Sequence, residues 1–295
     1  MSDTIPDTEF SIVLPAKNES LALKTLLPAL RERYPNAEVI VVDDGSDDDT
    51  ADVCRNAGAI VVSHPYSKGN GAAIKSGVRR ASRPYVVCMD GDGQHDPADI
   101  DKLAARIAQG YDLVVGARGT GSQASRSRWF GNQVYNVLAS WAVGQRVEDL
   151  TSGFRMFRAK LFREFLHLLP NGFSYPTTST MAFFRAGYTV GFVPIEVAKR
   201  QKGSKSHIRL FRDGARFLLI IFRVGTLYSP LKVFLPISLF FFASAVAYYL
   251  FTFMTTGRFT NFGALLAVTS VLVFLIGLVS EQITQMLYAS NRSEE

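Results

Sequence analysis

The stretch "CMDGDGQHDP" sets Asp90 and Asp92 two residues apart, with Gln94 two further on and no apolar side chain from Asp90 to His95. Two carboxylates held that close repel each other unless a cation neutralises them. Asp90, Asp92 and the amide oxygen of Gln94 are hard donors, so Mg²⁺ or Mn²⁺ is the kind of ion they suit. No Cys/His cluster points to zinc, and His95 is read as a neighbour of the site or a surface residue. Taken alone, the motif reads equally well as an Asp/Gly turn leading into a helix over "DPADIDKLAARIA". The surrounding elements must decide between the two.

The residues before the motif, "PYVVCM", are apolar and β-branched enough for a buried strand, and the glycines after them allow a sharp turn at its carboxyl end. Four further runs have the same character: "FSIVLP", "EVIVVDD", "AIVVSHP" and "YDLVVGAR". Helical patterns over residues 20–33, 48–56, 71–80 and 97–108 separate them. This alternation predicts an α/β domain built on a mostly parallel sheet with helices on both faces. Polar or charged clusters at 15–19, 43–46, 90–94 and 116–118 fall where strands end, so they can converge on the crevice where such sheets bind ligands. Asp43 and Asp44 are either turn residues before an N-capping Ser46 or acceptors for a base N–H and ribose hydroxyls. "SKGNGAA" is glycine-rich but has neither the Walker pattern nor GxGxxG, which speaks against a separate ATP or NAD site and leaves Lys68 a weaker candidate.

The carboxyl-terminal part is of another kind. Residues 231–254 carry one charge, Lys232, and residues 263–283 carry only Glu281. Each run is close to the about 20 residues that cross a bilayer core, and the short link between them predicts a hairpin of two transmembrane helices. Residues 199–232 are dense in Lys and Arg whereas the link offers only Arg258, which places the amino-terminal domain and both termini on the cytoplasmic side. The start "MSDTIPDTEF" is polar and acidic, unlike a signal peptide, and Cys54 and Cys88 are expected to be free thiols. Residues 207–227 set Arg209, Arg212, Arg216 and Arg223 among apolar residues at helical spacing, as in a helix lying along lipid headgroups. The formal net charge of +6 is therefore attributed to membrane attraction and not to nucleic acid. The expected organisation is a cytoplasmic catalytic domain at 1–200, juxtamembrane helices at 201–230, two spans at 231–254 and 263–287 within 231–288, and a tail at 289–295.

"IVLPAKNES", "VIVVDDGSDDDT", "KGNGAAIKSGVRRA", "MDGDGQHDP", "GAR" and "DLTSGFRMFR" occur in an order that resembles the family 2 glycosyltransferases of GT-A fold. Within them the chain is similar to the dolichyl-phosphate mannose synthase branch and its bacterial polyprenyl-phosphate relatives. The resemblance covers essentially the whole chain. It implies a Rossmann-like GT-A domain, a nucleotide-diphosphate sugar linked to UDP or GDP, Mg²⁺ or Mn²⁺, and an undecaprenyl or dolichyl phosphate acceptor in the bilayer. It further implies metal and diphosphate contacts at Asp90, Asp92 and Gln94, and nucleoside contacts at Pro15, Ala16 and Glu19 on the first strand exit and at Val42 and Asp44 on the second. For the acceptor phosphate it implies Arg118 and Arg128, with Asn132 one turn after Arg128; "SRSR" leaves Arg126 as the alternative to Arg128. In "RQKGSKS" it implies Arg200 and Lys205, although the spacing is one residue shorter than the family's, and a headgroup-binding polybasic segment is the other reading.

Asp149 in "EDLTSGF" corresponds to the general base of relatives that glycosylate hydroxyls. A phosphate monoester, with its second pKa near about 6, is already largely ionised at neutral pH, so Asp149 either orients or deprotonates. The expected activity is inverting transfer of a sugar to polyprenyl phosphate, with Asp92, Asp149 and Arg128 as catalytic residues, and association of chains through the membrane helices. Two alternatives stand beside it. A polysaccharide synthase acting on a hydroxyl usually shows a Gln-x-x-Arg-Trp motif and more spans, and a non-catalytic membrane scaffold has no need of the intact Asp90, Asp92 and Gln94. Which sugar and which nucleotide are used depends on side chains that the sequence does not place.

Overall fold

A computed structural model describes residues 4–119, 126–172, 174–198, 226, 229–258 and 260–289, with the backbone alone at 126–132 and 287–289. The five apolar runs are strands: β1 (Phe10–Ala16), β2 (Glu38–Asp43), β3 (Ile60–Ser63), β4 (Tyr85–Cys88) and β5 (Leu113–Arg118). The helical patterns between them are α1 (Ser20–Arg33), α2 (Thr50–Asn56), α3 (Asn70–Arg80) and α4 (Asp99–Ala108). After β5 come α5 (Arg126–Val143), β6 (Arg155–Arg158), α6 (Ala159–Glu164), α7 (Tyr175–Arg185) and β7 (Val190–Ile195). The two apolar helices that end the described chain are α8 (Pro230–Thr256) and α9 (Asn261–Ala289).

The sheet runs in the order β3-β2-β1-β4-β6-β5-β7. All its pairings are parallel except those of β6, which is antiparallel to both β4 and β5. Every residue of β1 is buried, as befits a central strand covered on both faces. On one face Ile12, Leu14, Val39 and Val41 pack against Leu23 and Leu27 of α1 and Ile100 and Leu103 of α4. On the other, α3 approaches so closely that a Cβ on Gly77 would lie 2.3 Å from Val13 Cγ1. That contact sets the depth of α3 and carries its amino end to the strand exits.

The reversed β6 has a consequence for the crevice. Its first residue, Arg155, pairs with Cys88, the last residue of β4, and with Val115 of β5. An antiparallel strand starts where its parallel neighbours finish, so the preceding turn, 149–153, is delivered to the same edge as Asp90.

The chain divides into two units, Met1–Ser140 with Gln145–Ile208, and Trp141–Gly144 with Arg209–Glu295. In the second, α8 and α9 are long and apolar enough to cross a membrane, with mean hydropathy of 2.0 and 2.6 over their most apolar windows. Pro230 opens α8 and Gly257, in a left-handed conformation, closes it, which is the usual asymmetry of helix ends. Cys54 and Cys88 are both buried free thiols.

Candidate functional site

The exits of β1, β2 and β4 and the amino end of α3 enclose a cleft of about 490 Å³. Pro15, Ala16, Lys17 and Glu19 come from β1, Asp44 from β2, Asp90, Gly91, Asp92 and Gln94 from β4, and Ser67, Gly69, Asn70 and Ala73 from α3 and the loop before it. Local hydrogen bonds hold these exits together. Asn18, at a positive φ of 56°, accepts from the Asp47 amide at 2.8 Å, and its own amide donates to Ser46 Oγ at 3.0 Å. The Asp44 amide donates to the Ala16 carbonyl at 2.9 Å and the Gly91 amide to the Pro15 carbonyl at 3.3 Å.

The motif loop is held at both ends. Asp92 Oδ1 accepts from the Gln94 amide at 3.1 Å, an Asx-type turn that fixes the loop's curvature. Gln94 Nε2 donates to the Ala198 carbonyl at 3.1 Å, and the Ala198 amide donates back to the Gln94 carbonyl at 2.9 Å. The amide nitrogen of Gln94 is thereby committed to backbone, which leaves Oε1 as the end able to meet a cation. Behind Asp90 the turn before β6 is tightly packed: a Cβ on Gly153 would lie 3.4 Å from Asp90 Oδ2 and 3.3 Å from the Tyr175 hydroxyl. His95 stacks on Phe154 with centroids 4.9 Å apart and is buried. It backs the loop and is not among the residues that line the cleft.

Among the described residues no group of three or more His, Cys, Asp and Glu could ligate an ion. Two carboxylates and one amide oxygen supply part of a coordination shell and leave positions for phosphate oxygens and water. Such a donor set fits Mg²⁺ or Mn²⁺ bound together with a diphosphate, and it does not fit a closed structural site. Asn70 Oδ1 is a buried acceptor in the cleft with no hydrogen-bond partner from the protein, suited to a donor on a ligand.

The turn brought in by β6 carries Asp149, which is saturated. Arg118 Nε and Nη2 donate to its two oxygens at 2.8 and 3.0 Å, a bidentate pair, and the Arg118 amide adds a contact at 3.2 Å. The amides of Thr151 and Ser152 each donate to Oδ1 at 3.1 Å. Burial by itself would raise the Asp149 pKa, but the Arg118 hydrogen bonds and charge outweigh it and hold the carboxyl below its ordinary range. A carboxylate so committed orients its neighbours and is a poor proton acceptor. Burial opposes the Arg118 charge, and Asp149 with nearby Asp90 more than restores it.

Of the residues singled out in the sequence, Pro15, Ala16, Glu19, Asp44, Asp90, Asp92 and Gln94 meet in the cleft. Val42 does not, because its side chain is fully buried in the sheet. Arg118 and Asp149 do not line it either; they form their own pair. Arg126, Arg128 and Asn132 belong to the stretch of α5 described by backbone only, and Arg200, Lys205 and all of the 207–227 segment except residue 226 lie outside the described residues. Asn70, Ser67 and His64 were not singled out in the sequence; the glycine-rich "SKGNGAA", which contains Ser67 and Asn70, gave the only signal.

Comparison with known proteins gives a consistent result. The family model for glycosyl transferase family 2 matches residues 11–166, and a model for a GtrB C-terminal hairpin matches residues 229–286. The chain is 30% identical over 227 residues to the glycosyltransferase AglJ of Haloferax volcanii, covering 76% of this chain and 74% of that one. It is 31% identical over 210 residues to a dolichyl-phosphate hexose transferase of the same organism, covering 70% of this chain and 90% of the relative. Among solved structures, glucosyl-3-phosphoglycerate synthase from Mycobacterium tuberculosis, in complex with Mn²⁺, UDP and glucosyl-3-phosphoglycerate, superposes with a TM-score of 0.57 at 22% identity, covering 72% of this chain and 77% of that one. The last likeness is one of fold.

Proposed function

Since the chain belongs to glycosyl transferase family 2 and is a glycosyltransferase, we propose that it moves a sugar from a nucleotide-diphosphate donor to a polyprenyl phosphate, with inversion at the anomeric carbon. The observation that carries this reading is the union, in one chain, of a carboxylate-bearing cleft at the strand exits with two helices long enough to span a membrane. A cleft that takes a nucleoside diphosphate needs acceptors for the base and ribose and carboxylates for a bridging cation. The hairpin gives a reason for an acceptor that stays in the bilayer. The dolichyl-phosphate hexose transferase among the relatives supports the same acceptor class.

When bound, Mg²⁺ or Mn²⁺ would neutralise charge on the departing diphosphate. Asp90, Asp92 and Gln94 Oε1 would hold it, and the Asx turn and the Ala198 bonds keep these donors in place before ligand arrives. Pro15, Ala16 and Glu19 bound the nucleoside end of the cleft, and Asn70 Oδ1 offers it an acceptor. The acceptor phosphate oxygen attacks the anomeric carbon as the bond to the nucleoside diphosphate breaks. Being ionised at neutral pH it needs no strong base, which agrees with an Asp149 held by Arg118. Asp149 thus positions Arg118. Arg128 or Arg126, with Asn132, and Arg200 with Lys205 are the proposed contacts to the phosphates. The catalytic domain and both termini face the cytoplasm in this reading, by the excess of Lys and Arg before the first span.

A panel of UDP- and GDP-sugars offered to the full-length protein in vesicles containing polyprenyl phosphate tests the proposal. Glycolipid that forms only with Mg²⁺ or Mn²⁺ is the expected product. Transfer to a hydroxyl acceptor without any lipid phosphate would refute it.

A further inference from the structure

The carboxylate of Asp44 is buried and fully engaged, although the cleft lies beside it. Its Oδ1 accepts from His64 Nδ1 at 2.7 Å and from the Lys68 amide at 2.8 Å. Its Oδ2 accepts from Ser67 Oγ and from the Gly69 amide, both at 2.8 Å. A carboxylate has about four acceptor sites, and here all four are used. Three of the four donors belong to the loop 67–69, whose Ser67 and Gly69 form one wall of the cleft. The loop also comes so close to the β2 exit that a Cβ on Gly45 would lie 2.7 Å from the Ser67 nitrogen, at a φ of +69° that favours glycine in any case.

The fourth donor is His64, itself buried at the end of β3. A carboxylate can only accept, so Nδ1 carries a proton, and Nε2 lies 2.9 Å from Ser76 Oγ on α3, within hydrogen-bond distance. One ring therefore joins the β2 exit to α3. Burial would push Asp44 up, but the hydrogen bond from His64, then those from Lys68, Gly69 and Ser67, bring it down to about 2. Without the Nδ1 proton, a buried anionic oxygen would lose a partner, and the carboxylate could recover one only by turning out of the geometry that folds the loop.

We propose that His64 is a positioning residue of the donor site: its Nδ1–H completes the four-bond carboxylate of Asp44, which holds the loop 67–69 as a wall for the nucleoside diphosphate. The inference rests on the reading of the cleft as a nucleotide-sugar site. It assigns Asp44 the task of building that wall, with His64 acting through it.

Two near-isosteric changes separate this role from mere filling of space. His64→Asn keeps an N–H close to the place of Nδ1, whereas His64→Gln keeps a polar atom close to the place of Nε2 and loses the bond to Asp44. Binding of UDP and of GDP, each with Mn²⁺, is measured by calorimetry on the full-length protein, together with hydrogen exchange of the 68 and 69 amides. For whichever nucleotide the wild type binds, His64→Gln should weaken affinity by about tenfold, as expected for one hydrogen bond to a charged group, and His64→Asn by less than about threefold. Exchange at 68 and 69 should quicken in the Gln variant alone, with β1 protected in both. Ser76→Ala, which leaves Nδ1–H in place, should bind like the wild type. Wild-type affinity in His64→Gln, or equal losses in Asn and Gln, or a tenfold loss in Ser76→Ala, each overturns the inference. A wild type that binds neither nucleotide defeats the reading of the cleft instead, and exchange at 68 and 69 then still decides whether His64 holds the loop.

Discussion

In the α/β head, Phe10, Phe154, Phe157, Phe162, Ile12 and Leu14 are among the largest side chains that are fully buried, while polar groups collect at the strand exits. In the hairpin, Phe240, Phe251, Met254, Leu265 and Ile276 point outward, and beyond Pro230 at the first position of α8 the inner sets are Ser238, Ala245 and Thr252 on α8 and Gly263, Ser270, Gly277 and Thr284 on α9. Both inner sets recur every seven residues, the period that keeps a seam facing a partner helix. The inversion is the one a bilayer around the hairpin would produce, as its membrane-length helices allow. Water drives large apolar groups into the head; in hydrocarbon they gain nothing by pairing, so helices associate by close approach of small residues and by hydrogen bonds such as Ser238 Oγ to the Ser270 carbonyl at 3.0 Å. Polar side chains consequently stand in different places in the two parts, gathered at the strand exits of the head and along the helix seam of the hairpin.

The largest expected effect is in the head and is purely functional. Asp92→Asn should cut metal-dependent transfer by on the order of 1,000-fold, comparable with the loss of a main transition-state contact, and leave the melting temperature within a few degrees of wild type. Mn²⁺ titration and turnover on the same sample check it; unimpaired turnover at limiting Mn²⁺ would remove Asp92 from the metal site.

Next comes the buried pair. Asp149→Asn should destabilise the head by about 3 kcal/mol, because Arg118 keeps its charge and loses its counter-ion. The pair also sets an acid limit. Asp149 and Asp44 both have folded pKa values below the unfolded value of about 3.9, so their contribution is complete above that pH and is lost as pH falls through the folded values, about 2 for Asp44. Far-UV and near-UV dichroism on acidification should therefore show the head unfolding below about pH 4 while the helices of the hairpin persist. Simultaneous loss of both would erase the contrast between the two parts.

The two smaller effects lie in the hairpin. A Cβ on Gly277 would stand 2.7 Å from Phe234 Cβ, so Gly277→Leu should weaken helix association by about 2 kcal/mol, read by steric trapping or by resistance to unfolding in detergent. Activity toward a water-soluble, short-chain acceptor should be unchanged. Ser238→Ala should cost only about 0.6 kcal/mol, the average for a hydrogen bond between membrane helices. A larger loss there would show that the seam depends on that bond more than on packing.

Much of the head was legible because its central strands are uninterrupted apolar runs and its helices have clear amphipathic spacing. β6 and β7 were not. β6 is four residues, "RMFR", with Arg155 at a fully buried position that no sequence rule would assign to a core. β7 contains Pro194 and sits at the sheet's edge, where a missing ladder donor is tolerated, so it lacks the pattern of a central strand. The cleft was half legible for a related reason. Asp90, Asp92 and Gln94 are neighbours in the chain, whereas Asp44 with His64, and Arg118 with Asp149, meet across 20 and 31 residues.

The sequence alone determined the α/β alternation, the carboxylate motif at the end of β4 and the two membrane-length helices, because each is written in residues that are consecutive or recur at a short period. Tertiary structure alone decided that Asp149 is held by Arg118, that Asp44 spends its acceptor sites on the loop 67–69 and on His64, and that Val42 is sealed in the sheet. The reason is physical. The partners of a buried charge are set by which strands lie side by side, and that order, with β6 reversed between β4 and β5, is fixed only when the whole sheet assembles.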